Sequence, residues 1–558
     1  MARRQTAGWA AVLALLAVVS AARAEEPLRP IGPQLETGLE PLDHVLYFVP
    51  NDPLYVAGWQ WHLNGTPNVN IVPAWTNGYT GAGVTIGIVD DSLQTTHPDL
   101  APNYVAADSY DFGQGDGVPD PVYANDNHGT AVAGVAAAAG GNGVGVSGAA
   151  PSAGLAGLRI DFPNQTEAMF VNATLYHSSG GITNIQIKNH SYGIIVPFIP
   201  KVNEVTALQT STAAGTIHCF AAGNERYYHG YYIDVNGNGS FTPDVDYAVD
   251  GDANKKAFPN AQESIAVAAL ADDGQYASYS NWGANIFCTA PSNGGTNGIA
   301  TTDRTGANGY NSGADPIGDT GYTSTFGGTS SASPLVAGIL ALANQAQPNL
   351  NERMAKHLLA QTCTKVDATD ADWITNGAGY HFNRNYGFGL IDANALTQAA
   401  TMWPAVTALV TETTGLISVG QAITGSGGNL MNFTLNNPGG LPLEEIEIYL
   451  DITHTWRGDL EAFLTSPLGT SYKLMEDNLT DSFDTIDWTF LSNAFWGEDP
   501  AGQWALQIFD TYPAADNGIW NNYSVLAKTG MLTPEPGSLA LLAVGLAAFA
   551  ARRRRQGR

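Results

Sequence analysis

The sequence predicts an α/β chain in which a doubly wound parallel sheet, with helices on both faces, is followed by an all-β jelly-roll or sandwich domain. Two observations carry this. Between residues 51 and 400, short apolar runs of strand length alternate with helical stretches built of small residues, the rhythm of β-α-β units. From about 410 to 530 the pattern changes to alternating strand runs separated by Gly, Pro and Asn, with little helical periodicity, which reads as a separate sandwich. The 558 residues, 44% hydrophobic and 10% aromatic, suffice for two or three domains with at least one sizeable core.

Taken in order, residues 1–24 open with Arg3 and Arg4, run apolar from 9 to 19, and end Ala22-Arg23-Ala24. A basic start, an apolar middle and small residues before a cleavage point describe a signal peptide; the short apolar run disfavours a spanning anchor. Residues 25–50 form a short N-terminal segment without periodicity. Within 51–400, the runs 84–89, 185–187, 217–222 and 265–270 read as buried strands. The stretch 131–139 reads as a close-packing helix of Ala, Val and Gly, and 335–343 as an apolar helix opened by Pro334. In such sheets functional sites gather at the carboxyl ends of strands. The final segment, 534–558, carries Pro534-Glu535-Pro536, an apolar stretch from 539 to 551 and arginines at 552–555.

Charge and cysteine usage narrow the function. Fourteen of the 23 Lys and Arg, but 45 of the 51 Asp and Glu, fall between residues 50 and 534, a net charge near −31. That argues against nucleic acid or an anionic membrane as a partner and suits calcium or basic peptides. Cys219, Cys288 and Cys363 lie in apolar contexts with no Cys-x-x-Cys pattern, so buried free thiols are expected.

Three clusters carry chemistry. Gly87-Ile88-Val89-Asp90-Asp91 places an acid at the end of a buried strand. Asn127-His128-Gly129-Thr130 places a histidine at the mouth of a small-residue helix. Gly328-Thr329-Ser330-Ser331-Ala332-Ser333-Pro334 places a serine at the start of an apolar helix. Serine hydrolysis needs a nucleophile, an imidazole to take its proton and a carboxylate to orient the imidazole. Each motif is weak alone; together and in this order they point to one site.

With these residues in view, the stretch from Asn51 to about Ala400 resembles the catalytic domain of subtilases, whose triad runs Asp, His, Ser along the chain. Asp52-Pro53-Leu54, Trp61-His62-Leu63 and the doubled acid Asp90-Asp91 resemble the kexin and furin branch. The resemblance implies that Asp90 orients His128, that His128 is the general base, that Ser330 is the nucleophile, and that Asn224 in Ala221-Ala222-Gly223-Asn224 donates to the oxyanion. Ser191, Tyr192 and Gly193 would line an extended peptide by strand addition. Asp91 and Asp126 would face the penultimate substrate residue, implying a preference for basic side chains, although Gly193 is followed by Ile194, Ile195, Val196 and Pro197 rather than by acids. Asp250 or Asp252 is the candidate replacement.

The resemblance also implies calcium, held by Asp99, the Asn142 side chain and the backbone carbonyls of Val144 and Val146, an oxygen set suited to a hard cation. Separately, Asp234, Asn236 and Asn238 read like the first half of an EF-hand loop, with Val245 where a glutamate is expected. Residues 453–460, 466–470 and 496–504 resemble the P domain that follows kexin-type catalytic domains, in which Arg457-Gly458-Asp459 reads as a structural turn. The C-terminal segment resembles the PEP-CTERM sorting signal of Gram-negative bacteria. It implies export through the inner membrane, retention by a C-terminal transmembrane helix with the arginines cytoplasmic, and a sorting enzyme as partner before the chain reaches the surface or medium. The reading is therefore an exported, calcium-stabilised, monomeric serine endopeptidase acting on polypeptides. The alternative is a catalytically silent surface protein that binds through its β domain.

Overall fold

The structure is a computed structural model that describes residues 48–423, 428–512 and 517–534. The expected signal peptide and the apolar C-terminal stretch lie outside the described residues. No helix among the described residues is long and apolar enough to cross a membrane.

Seven parallel strands make the central sheet: β1 Thr85–Asp90, β2 Tyr110–Asp111, β3 Gly154–Arg159, β4 Ile187–His190, β5 Ile217–Ala221, β6 Ser264–Leu270 and β7 Cys288–Pro291. Their spatial order is β2-β3-β1-β4-β5-β6-β7. Alternation along each strand sorts side chains to two faces. Ile86 and Ile88 of β1 and Ile217 and Cys219 of β5 join the largest core, whereas Val89 and Phe220 join smaller clusters on the other side. The first face is covered by α1 His128–Ala137 and α4 Thr329–Ala346, and the second by α2 Glu167–Leu175 and α3 Val202–Ala213. β4 starts two residues later than the sequence pattern suggests, because Ile185 is buried against Val89 and Phe170 before the ladder begins opposite Ile86.

α1 is built of small residues because it lies against α4 and a β-ribbon. A Cβ on Gly134 would sit 2.1 Å from Thr302 Oγ1, and one on Gly338 of α4 would sit 2.6 Å from the Ala136 carbonyl. α4 begins at Thr329, not after Pro334, which lies inside it. Proline has no N–H to give the carbonyl four residues earlier. That carbonyl belongs to Ser330 and accepts instead the Ser191 hydroxyl at 3.1 Å, so the proline ties the end of β4 to the start of α4. All three cysteines are free and buried.

Beyond α5 Glu352–Thr362 and α6 Ala393–Ala400 the chain forms an antiparallel sandwich. One sheet holds Val410–Thr413, Ile417–Ile423, Leu443–His454, Thr485–Ser492 and Gly518–Thr529; the other holds Asn429–Leu435, Leu460–Thr465, Ser471–Met475 and Gly502–Asp510. Strands such as Leu460–Thr465 bury alternate residues, as a two-layer packing requires. The sandwich docks on segment 250–256 of the first domain. Buried Asn254 donates to the carbonyls of Leu474 and Leu491, both at 2.9 Å, and accepts the Leu491 N–H at 3.0 Å. Arg457-Gly458-Asp459 is a buried-centred 3-10 turn, with Arg457 paired to Asp481 at 2.9 Å.

Candidate active site

β1 delivers Asp90 to the carboxyl edge of the sheet, 3% exposed. His128 is the first residue of α1, and its Nδ1 lies 2.8 and 3.0 Å from the two Asp90 carboxylate oxygens. Assigned from this contact, the Nδ1–H donates to Asp90 and Nε2 is left with its lone pair. Burial alone would lower the imidazole's pKa. The charge of Asp90, its hydrogen bond and the charge of Asp91 outweigh that and raise it to about 9. The side chain keeps 27% exposure, so water screens part of this pull.

Asp91 stands behind the histidine. Its carboxylate accepts the backbone N–H groups of His128 at 3.0 Å and Gly129 at 2.8 Å, which anchors the first turn of α1 where a helix favours negative charge. Burial, then the neighbouring Asp90, push its own pKa up to about 6.

Ser330 is the second residue of α4 and is 8% exposed. Its Oγ lies 3.4 Å from the Ser191 carbonyl oxygen. Hydrogen bonds between nucleophile and base commonly tighten only with substrate bound. Gly328, at φ +75°, makes the positive-φ turn that opens α4, a conformation glycine adopts without steric cost. Asn224 follows β5, and its Oδ1 accepts both the Thr329 N–H at 2.8 Å and the Thr329 hydroxyl at 3.0 Å. A Cβ on Gly328 would sit 3.3 Å from the amide nitrogen at the other end of that planar group.

β4 ends at His190, and residues 191–193 continue past the ladder. Ser191 is held by Ser330, the Tyr192 hydroxyl lies 2.9 Å from His190 Nδ1, and Gly193 faces open space. Tyr192 turns inward onto Phe170, at a ring separation of 5.1 Å. Asp126 is engaged by donors of the protein itself. Its Oδ2 accepts the N–H groups of Val122 and Tyr123 and the Arg159 guanidinium, all at 3.0 Å, and Arg159 also pairs with Asp111 at 3.1 Å. Asp250 pairs with Lys255 at 2.8 Å and takes the Asn478 amide at 3.0 Å. Asp252 accepts the N–H groups of Asn254 and Glu476.

Asp99, Asn142, Val144 and Val146 come together. Asp99 accepts the Asn142 amide and the Val146 N–H, each at 2.9 Å, and the Val144 N–H donates to Asn142 Oδ1 at 2.7 Å. The structure adds to this group a residue that the motif reading does not join to it: fully buried Asp52, which accepts the N–H groups of Gly141 at 2.8 Å and Asn142 at 3.1 Å. Its signal was present in Asp52-Pro53-Leu54, but no spacing rule joins it to a loop ninety residues on. Burial raises Asp99 to about 6, and Asp52 adds to the rise. Two buried carboxylates on one Gly-rich loop fit a calcium ion, which would relieve that repulsion. Asp234 instead spends its carboxylate on its own loop, accepting the N–H groups of Gly239 at 2.6 Å and Asn238 at 3.2 Å, while Asn238 Oδ1 accepts the Ser240 N–H at 2.7 Å. Asn236 lies exposed in the same loop. Among the described residues a further acidic group, Glu461, Glu476 and Asp477, is gathered in the sandwich, but Lys473 already bridges the two glutamates at 2.6 and 2.9 Å.

The Subtilase family pattern matches residues 81–389, the proprotein convertase P-domain pattern residues 443–526, and the PEP-CTERM protein-sorting motif residues 532–555. Human furin is 30% identical over 505 residues, 87% of this chain and 58% of furin. Human neuroendocrine convertase 2 is 30% identical over 507 residues, 85% of this chain and 74% of the convertase. The chain thus spans about three-fifths of the length of the furins it matches. The solved serine protease of Aeromonas sobria superposes with a TM-score of 0.75 at 26% identity, covering 88% of this chain and 99% of that one. With a family pattern over more than half its length and a convertase relative matched over most of both chains, this protein belongs to the subtilase family.

Proposed function

We propose that the chain is an exported serine endopeptidase that cleaves polypeptides through an acyl-enzyme. The observation that carries this is the Asp90–His128 pair, held at the sheet edge beside a serine at a helix start and an asparagine whose carbonyl end is tied down. His128 Nε2 takes the proton as Ser330 Oγ attacks the peptide carbonyl, and Asp90 stabilises the imidazolium without itself being protonated. The Asn224 amide and the Ser330 N–H receive the oxyanion, aided by the positive end of α4. His128 then returns the proton to the leaving amine, and water, activated by the same imidazole, releases the acyl group. Ser191 and Gly193 give the substrate backbone an edge to pair with.

Calcium would be held by Asp52, Asp99, Asn142 and the carbonyls of Val144 and Val146, and would supply positive charge that locks the 141–146 loop. A second position at Asp234, Asn236 and Asn238 has weaker support, since Asp234 is turned to its own loop. A basic preference at the penultimate residue would rest on Asp91 and Asp126, both already bound by protein donors; equal turnover of Lys and Ala there removes it. The PEP-CTERM motif supports export and surface sorting in a Gram-negative cell by a dedicated sorting enzyme.

The test is labelling of the exported chain with a fluorophosphonate probe, with and without a calcium chelator, beside Ser330→Ala. Labelling that vanishes in the variant and falls on chelation is expected. A folded protein that takes no label in calcium overturns the reading in favour of a silent binding protein.

A further inference from the structure

An extended peptide lying along 191–193 with its carbonyl at Asn224 must drop the side chain of its acyl residue between two walls. One wall is the 191–195 segment and the other is 222–225. The base between them is formed by the end of segment 250–256, whose Ala253 packs in one small cluster with Ala222. There the chain places Lys256, 3% exposed. Its ammonium donates to the carbonyl of Ile195 on one wall. On the other wall it is attracted by Glu225, whose carboxylate is folded back against Gly223 and held by the Asn281 amide at 2.6 Å. Burial pushes the lysine down to about 8, so it stays cationic at neutral pH.

We propose that Lys256 is a specificity-determining residue: its ammonium occupies the acceptors at the base of this cleft, closing the subsite for the residue that bears the scissile carbonyl to lysine and arginine and leaving it to neutral side chains. This deepens the peptidase reading and rests on it. The remaining acids on that side offer no substitute, because Asp250 is taken by Lys255 and Asn478, and Asp252 by backbone N–H groups. A substrate guanidinium entering the cleft meets a fixed like charge and satisfied acceptors, an arrangement that selects by repulsion as much as by fit.

The test is kcat/KM for one peptide series with Arg, Lys, Ala or Leu at the position of the scissile carbonyl. The wild type is expected to favour Ala or Leu over Arg by at least about tenfold. Lys256→Ala should raise the Arg-to-Ala ratio about tenfold, while Lys256→Met, which keeps the stem volume, should raise it less. A wild type that cleaves the Arg peptide as well as the Ala peptide overturns the proposal, even if neither variant folds. So does a folded Lys256→Ala with an unchanged ratio. Calorimetric binding of the same peptides to Ser330→Ala separates this from the peptidase reading: Ala bound tighter than Arg, with no hydrolysis by the wild type, supports the subsite and sinks the activity alone, and equal binding sinks the subsite.

Discussion

The two sides of the cleft hold their ionisable groups in opposite ways. On the side of β1 and α1, Asp90 and Asp91 are adjacent in sequence and both serve His128, one through the ring and one through the backbone of its helix. Their charges raise the imidazole, and nothing else among the described residues is hydrogen-bonded to its ring. On the side of residues 250–256, every carboxylate is matched by a cation or by N–H groups of the same chain, and the lysines Lys255 and Lys256 are buried. The first side keeps an imidazole with a free face, which is what proton transfer would need. The second is neutralised internally, so it can shape a substrate side chain but cannot attract a charge strongly. An acid in a motif therefore says little about recognition until its partner is known.

The sharpest break between the two sides is Ser330→Ala, expected to cost about 10⁶-fold in kcat, since nucleophile and base act as a unit. Steady-state hydrolysis by a folded variant within tenfold of wild type would mean that the chemistry lies elsewhere. Asp90→Asn should cost about 10⁴-fold by releasing the imidazole from its tautomer and orientation. It should also change the pH profile. The base works only when neutral, and Asp90 holds the proton on it more tightly, so wild-type kcat/KM should climb as pH rises toward about 9 and the variant's climb should lie at lower pH. Asn224→Ala should lower kcat by about 10²–10³-fold with KM little changed, read from initial rates across substrate concentrations. Asp126→Asn leaves Arg159 buried with one partner fewer and should cost about 3 kcal/mol in urea unfolding. The smallest effect expected is Gly134→Ala: a methyl 2.1 Å from Thr302 Oγ1 should destabilise by about 1–3 kcal/mol, measured as a shift in the urea midpoint.

Much of the chemistry was legible along the chain because it depends on local geometry. A strand that delivers Asp90 at its end, a helix whose mouth carries His128, and a Gly-Asn after β5 are each written within five residues. The start of α4 was misplaced because proline usually opens helices, and only the Ser191 hydroxyl explains how the Ser330 carbonyl tolerates Pro334 inside one. Lys188 shows the same limit. It directly follows the run 185–187 read as buried strand, and its ammonium is satisfied by the carbonyls of Ala173, Thr174 and Tyr176 and by Ser178 Oγ, at 2.7–2.8 Å, from the end of a helix on the far face.

By itself the sequence determined the two fold classes, the order of the domains, the identity of the triad candidates and most of the group around Asp99 and Asn142, because periodicity and short motifs encode what neighbours along the chain do. The tertiary structure alone decided which charges face which: that Asp126 belongs to Arg159, that Asp250 belongs to Lys255, that Asp52 joins Asp99, and that Lys256 lies beneath the cleft. Coulomb attraction acts through space with no memory of sequence separation, so the pairing of a buried charge is set by packing and cannot be read from its motif.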